Sequence, residues 1–135
     1  MGNPETVNLS IEKPLTNLDI IKCAKKLCLR YFRGVYMLDR LPRKPRRRET
    51  AIVNLDRSTG PGTHWVSYAI NDDTVIYFDS FGNLKPPREL LDYFTRGSVS
   101  HRRILYNYDS VQKYNSVVCG HLCLDFLYKV SHVLY

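Results

Sequence analysis

Cys119 stands where a polar stretch gives way to an apolar one, in N-S-V-V-C-G-H-L-C-L-D-F-L-Y-K over residues 115–129. Two earlier stretches carry residue types that could serve it. One is G-T-H-W-V-S-Y at 62–68, with His64; the other is Y-F-D-S-F-G at 77–82, with Asp79. A thiol attacks a carbonyl well only as the thiolate. At the start of a helix, the positive end of the dipole favours that anion, and a nearby imidazolium favours it further. His64 could supply the imidazolium and later protonate a leaving amine. Asp79 could fix the tautomer by accepting the other ring proton. An oxyanion forming on the attacked carbon needs uncharged donors. The Cys119 N–H, which lacks a helical partner in the first turn, is one candidate. The side-chain amide of Gln112 is another. Each residue alone has a plainer reading, because a cysteine on an apolar helix is more often core than reactive. The conjunction of four roles is what points to nucleophilic attack on an acyl carbon.

Those residues need elements to hold them. Thr16 or Asn17 caps a first helix with Asp19 in its first turn. Leu18, Ile21, Ala24, Cys28 and Tyr31 recur along it at helical spacing. Residues 1–15, broken by Pro4 and Pro14, read as an extended lead-in. Residues 31–41, aromatic and containing Gly34, read as a turn and a packed loop. Residues 51–56 read as a strand and 58–62 as a loop. Residues 64–70 and 74–79 then form a β-hairpin. With Asn71-Asp72 as its two-residue turn, His64 falls directly opposite Asp79, with Cβ atoms roughly 4.5–5.5 Å apart on one face. Pro86 and Pro87 open a short helix; Glu89 lies in its first turn, Leu90, Leu91 and Phe94 form its apolar side, and Gly97 ends it. Residues 103–108 read as another strand, and 109–118 as a loop carrying Gln112. Leu122, Cys123, Phe126, Leu127 and Val130 then mark a buried helix that begins at Cys119.

The 135 residues, 44% of them apolar, have the size of one domain spanning 1–135. No apolar run approaches the roughly 20 residues of a membrane span, and the N-terminus lacks the apolar region of a secretory signal. Met1-Gly2 with Thr6 meets the bare N-myristoylation pattern. Cys23, Cys28, Cys119 and Cys123 fit neither a disulfide framework nor a pair of zinc knuckles. Free thiols in a reducing compartment are expected, with no metal. Cys23, Cys28 and Cys123 read as packing residues. His121 and His132 read as surface or core histidines, and His101 as a residue before a strand. The net charge of +7 gathers in R-L-P-R-K-P-R-R-R, residues 40–48, which has six cations and no anion. Pro42 and Pro45 keep it out of regular structure. It reads as a solvated loop or as a nucleic-acid or nuclear-import patch.

Six motifs occur in order: Y-F-R-G-V-Y from Tyr31, A-I-V-N from Ala51, G-T-H-W from Gly62, F-D-S-F-G from Phe78, S-V-Q from Ser110 and N-S-V-V-C-G from Asn115. Together they resemble the adenovirus protease (adenain) family of cysteine peptidases, in the wider clan with the Ulp-type ubiquitin-like-protein proteases. The resemblance covers roughly residues 19–129. It implies an α+β fold: a central, mainly antiparallel sheet packed between helices, with the nucleophile at the N-terminus of a buried helix. It implies Cys119 as nucleophile, His64 as general base, Asp79 as third triad member, Gln112 in the oxyanion hole and Trp65 as a wall on the substrate side. The acid is Asp, as on the Ulp side of the clan, where many adenoviral members have Glu. His121 replaces the apolar residue usual after C-G, and the chain is shorter than adenoviral members. Some members are activated by a peptide docked through a disulfide, for which residues 98–112 offer no cysteine, and by DNA.

The activity so implied is an endopeptidase cleaving viral or transposon-encoded, capsid-associated precursors, at sites containing glycine, during virion maturation. Small residues at the cut would suit a narrow slot beside Trp65. The alternatives are a deubiquitinase or ubiquitin-like-protein protease, and a nucleic-acid-binding module that keeps the fold without activity. The expected partners are protein substrates and DNA, the latter through Arg43, Lys44, Arg46, Arg47 and Arg48. No cofactor beyond stimulation by DNA, no membrane, a monomer, and residence in the host nucleus or the virion complete the expectation.

Overall fold

Thr16 closes the first helix as its sequence requires. In the computed structural model, which describes residues 15–56, 64–97, 101–110 and 119–135, the Thr16 hydroxyl accepts from the Asp19 N–H, and the Asp19 carboxylate accepts from the Thr16 N–H. That reciprocal pair satisfies two amides the helix cannot. Helix α1 then runs Asn17–Lys26. Its buried face is Ile20, Cys23 and Ala24, whereas Leu18 and Ile21 are 64% and 42% exposed and Cys28 is exposed too. The expected apolar stripe is therefore rotated. It was drawn through Cys28 and Tyr31, which lie past the helix end at positive φ and so do not share its period.

The remaining elements are β1 (Phe32–Met37), a single 3-10 turn (Leu38–Arg40), β2 (Arg48–Asn54), β3 (Trp65–Asn71), β4 (Thr74–Phe78), α2 (Arg88–Phe94), β5 (Arg103–Tyr106) and α3 (Cys119–Leu134). The strands lie in sequence order in one sheet. β3 pairs antiparallel with β2 and β4, while β1–β2 and β4–β5 are parallel. Four strands thus run one way and β3 alone runs back. The sheet is α+β and mixed; its antiparallel part is the centre. Where a turn and loop were expected, β1 forms an edge strand instead. Its register shifts between Phe32 and Gly34, and all six positions are half-buried. It therefore shows none of the alternation that marks a one-sided strand.

Alternation along β2, β3 and β4 divides the core between two faces. Ile52, Trp65, Ala69 and Phe78 meet α1 and α3 through Ile20, Ala24, Cys123, Leu124 and Leu127. Ala51, Val53, Val66, Tyr68, Ile70, Val75 and Tyr77 meet α2 through Leu90, Tyr93 and Phe94. The sheet is therefore packed between helices. Burying both faces explains why β3 reads as an almost continuous apolar run.

The hairpin forms with a different turn from the one expected. Asn71 pairs with Thr74, so Asp72-Asp73 is the turn, one residue later than Asn71-Asp72. Asp72 adopts φ +53, a conformation that Asp tolerates better than most residues. Every pair shifts with it, and His64 is not the residue opposite Asp79.

Candidate active site

β3 begins where β4 ends, so the residues flanking those termini share one end of the sheet. His64 immediately precedes β3 and Asp79 immediately follows β4. Nε2 of His64 lies 3.0 Å from Oδ1 of Asp79. The same Oδ1 accepts the Phe81 N–H at 3.0 Å, and the Phe81 ring stacks on the imidazole with centroids 4.8 Å apart. Asp79 is 2% exposed. α3 opens at this end with Cys119, and its Sγ accepts the backbone N–H of Trp65 at 3.4 Å. The expected residues Cys119, His64 and Asp79 are thus brought together. Gln112 lies outside the described residues, as do 111–118 generally and the Gly62 side of the G-T-H-W motif.

The electrostatics follow from that contact. Burial, the largest single effect on His64, disfavours its charge, but the hydrogen bonds to Asp79 and Cys119 outweigh it and raise the imidazole to about 9. Burial likewise disfavours the Cys119 thiolate. Hydrogen bonding to His64, then to the Trp65 and Gly120 amides, reverses this and holds the thiol below its ordinary value. With Nε2 committed to Asp79, Nδ1 is the ring nitrogen left for the sulfur. One turn on, Cys123 is fully buried, which pushes its thiol well up. It is a packing residue, as expected.

Close packing fixes the site's edges. A Cβ at Gly120 would meet Trp65 Cδ1 and Leu15 Cβ, each at 3.3 Å. Trp65 is 5% exposed, and its indole N–H donates to the Leu15 carbonyl. Its ring therefore supports the start of α3, and its amide holds the sulfur. At Gly82 (φ +79), a Cβ would fall 2.6 Å from the backbone of Asp109 and Ser110. Two residues that sequence reasoning did not single out complete the arrangement: Phe81, and Asn107, whose side chain binds the main chain of Asp79. Phe81 stood within the F-D-S-F-G motif. Nothing local marked Asn107, because its partner is 28 residues away.

The cations at 40–48 are all exposed, and Arg47 pairs with Asp72 at 2.8 Å. Arg48 pairs in the ladder with Asn71, at the far end of β3 from Trp65. The Arg46–Arg48 end of the basic loop and the Cys119 centre thus lie at opposite ends of the sheet, about 20 Å apart along β3, whereas the loop sets out from the Leu38–Arg40 turn, whose Leu38 N–H bonds the Asp56 carbonyl at the Cys119 end. Among the described residues, no group of three His, Cys, Asp or Glu could hold a metal ion, and no helix is long and apolar enough to cross a membrane.

No family model and no curated protein sequence matches the chain. Solved structures do. The ASFV pS273R protease aligns over 91% of this chain with a TM-score of 0.58 at 16% identity. Its Se-Met form aligns over 88% with a TM-score of 0.59 at 17% identity. The chain spans 59% and 58% of the lengths of those two chains. A structure of the SUMO protease Ulp1 with its catalytic cysteine oxidised to a sulfinic acid aligns over 66% of this chain and 43% of its own, at 17% identity. Its TM-score of 0.48 is too slight a likeness to argue from. The chain therefore has the fold of the ASFV pS273R protease, with Cys119 at the start of α3. The finer resemblance to the adenovirus family rests on the sequence motifs.

Proposed function

We propose that the chain is a cysteine protease that uses Cys119, His64 and Asp79. One observation carries the reading: the imidazole of His64, bonded to Asp79 at 3.0 Å, stands at the end of β3 where the next residue's N–H bonds the Cys119 sulfur at 3.4 Å. The thiolate attacks the scissile carbonyl, and the electron pair moves to the oxygen. The Cys119 N–H and the Gln112 amide would stabilise that oxyanion. As the tetrahedral intermediate collapses, the C–N bond breaks and His64 gives its proton to the leaving amine. A thioester remains. Water, deprotonated by His64, attacks it and frees the acid and the thiolate.

The substrates in this reading are precursor proteins cut at glycine-containing sites, in the manner of the adenain family. The motif order from Tyr31 to Gly120 supports it. The exposed cations Arg43, Lys44, Arg46, Arg47 and Arg48 support stimulation by DNA.

The test is iodoacetamide labelling of the full chain near pH 6, mapped by mass spectrometry beside His64→Ala. Selective labelling of Cys119 that falls in the variant is expected. Labelling of Cys119 no faster than that of exposed Cys28 would overturn the reading. Peptides with glycine sites, run against ubiquitin-family probes, then separate a precursor protease from a ubiquitin-like-protein protease.

A further inference from the structure

We infer that Asn107 is a positioning residue that sets Asp79, and through it His64. The inference rests on the protease reading above and adds a residue to its machinery. The parallel β4–β5 ladder stops at Tyr77 and Tyr106, two residues short of the acid on one strand and one short of Asn107 on the other. The Asn107 side chain continues the ladder in place of a peptide. Its Oδ1 accepts the Asp79 N–H at 2.9 Å, and its Nδ2 donates to the Asp79 carbonyl at 2.7 Å. Nδ2 also donates to the Asp109 carbonyl at 3.1 Å. The Asn107 carbonyl accepts the Asn83 N–H at 2.8 Å.

One amide thus holds both main-chain polar groups of Asp79 and ties them to the segments after β4 and β5. With its backbone held at both ends, Asp79 presents Oδ1 to Phe81 N–H and His64 Nε2. A primary amide offers an uncharged donor and acceptor side by side on one planar group, matching a peptide's N–H and C=O. Gln would offer both a methylene further out, and Asp would offer the acceptor alone. The fit has little slack, because Gly82 already sits against the Asp109–Ser110 backbone. Displacement of a catalytic group by about 1 Å can cost on the order of 100-fold in rate.

The experiment compares wild type, Asn107→Ala, Asn107→Leu and His64→Ala in the full chain. It reads the pH dependence of Cys119 alkylation, the His64 ring titration by NMR, and Tm. In wild type the imidazole, raised by its bond to Asp79, should titrate at about 9. In Asn107→Ala and Asn107→Leu the imidazole should titrate clearly lower, and the Cys119 alkylation profile should move to higher pH, with labelling at pH 6 down roughly 10-fold. Asn107→Leu retains roughly the side-chain shape and adds no charge beside Asp79, so it reports even where Asn107→Ala folds poorly. An unchanged His64 titration and labelling within about twofold of wild type, with only Tm lowered, would reduce Asn107 to a structural role and overturn the inference. Slow Cys119 labelling in wild type itself would instead remove the protease reading on which it rests.

Discussion

His64 and Asp79 are bonded at 3.0 Å although neither belongs to the strand pair that brings them together. The β3–β4 ladder ends at Ser67 and Phe78, and the two residues reach across just beyond it. Continuing that register would set His64 opposite Phe81, and those two rings do stack. The acid thus reaches the ring diagonally, released from the pleat. Asp79→Asn keeps the shape and removes the charge that holds the imidazolium. The expected outcome is a loss of roughly 10²–10⁴-fold in kcat/KM on a peptide substrate, with the imidazole titrating below about 9.

The two shifted groups set a pH window. His64 is raised to about 9 and Cys119 is lowered from its ordinary value, so thiolate and imidazolium coexist over a range where free thiol and free histidine would both be neutral. Cleavage should rise as Cys119 loses its proton, already below the ordinary thiol range. It should fall as pH passes about 9, where His64 can no longer protonate the leaving amine. A kcat/KM profile measured from pH 5 to 10 checks this. A rising limb at the ordinary thiol pKa, with no fall near 9, would contradict the pairing.

Local rules carried much of this into the sequence. The Thr16–Asp19 cap, the strands around Val53 and Ile70, and Cys119 opening an apolar helix each follow from spacing within a few residues. What escaped depended on distant partners. β1 took shape only against β2, and its half-buried positions gave no period to read. The turn at Asp72-Asp73 differs from one at Asn71-Asp72 by two residues of register, which leaves the same faces buried, so the apolar alternation of Val66, Tyr68, Ile70, Val75 and Tyr77 could not tell the two apart. The true buried face of α1 was set by the sheet and α3. Asn107 became visible only once β5 lay beside β4.

Gly82 and Gly97 both sit at positive φ, at +79 and +92, and they differ in what surrounds them. Alanine at 97 would meet only Lys44 Cδ at 3.8 Å, so its cost is the backbone strain alone, about 1 kcal/mol. Alanine at 82 adds a 2.6 Å collision with the backbone of Asp109 and Ser110, and roughly 3 kcal/mol or more is expected. Thermal denaturation should separate the two by several degrees. The Gly82 variant alone should also slow Cys119 labelling, because the collision lies in the segment holding Asp79.

Glu49 is fully buried, yet it accepts four hydrogen bonds. Its Oε2 takes the hydroxyls of Tyr68 and Tyr93, each at 2.6 Å. Its Oε1 takes Arg33 Nη1 at 2.8 Å and the Arg46 N–H at 3.0 Å. The basic loop is thereby pinned to the core. Glu49→Ala strands a guanidinium and two phenols, and a loss of about 3–5 kcal/mol is expected. Hydrogen exchange at the Arg46 amide should accelerate even under conditions where the variant remains folded.

The basic loop offers a separable test of the DNA element of the proposal. Arg43, Lys44 and Arg46 hold the loop through main-chain groups: their side chains are exposed, while the Arg43 and Lys44 carbonyls and the Arg46 amide bond Arg96, Arg33 and Glu49. Replacing the three side chains with Ala therefore removes charge and leaves the scaffold. If they meet phosphates, the slope of log K for duplex DNA against log salt should shrink by about 0.9 for each cation lost. The site of chemistry lies at the other end of β3, so cleavage of a short peptide without DNA should stay within about twofold of wild type. Only the increment added by DNA should vanish. Duplex binding that ignores both salt and the triple variant would remove DNA from the proposal and leave the loop a solvated surface; a fall in DNA-free cleavage would instead couple the loop to the Cys119 centre through the sheet.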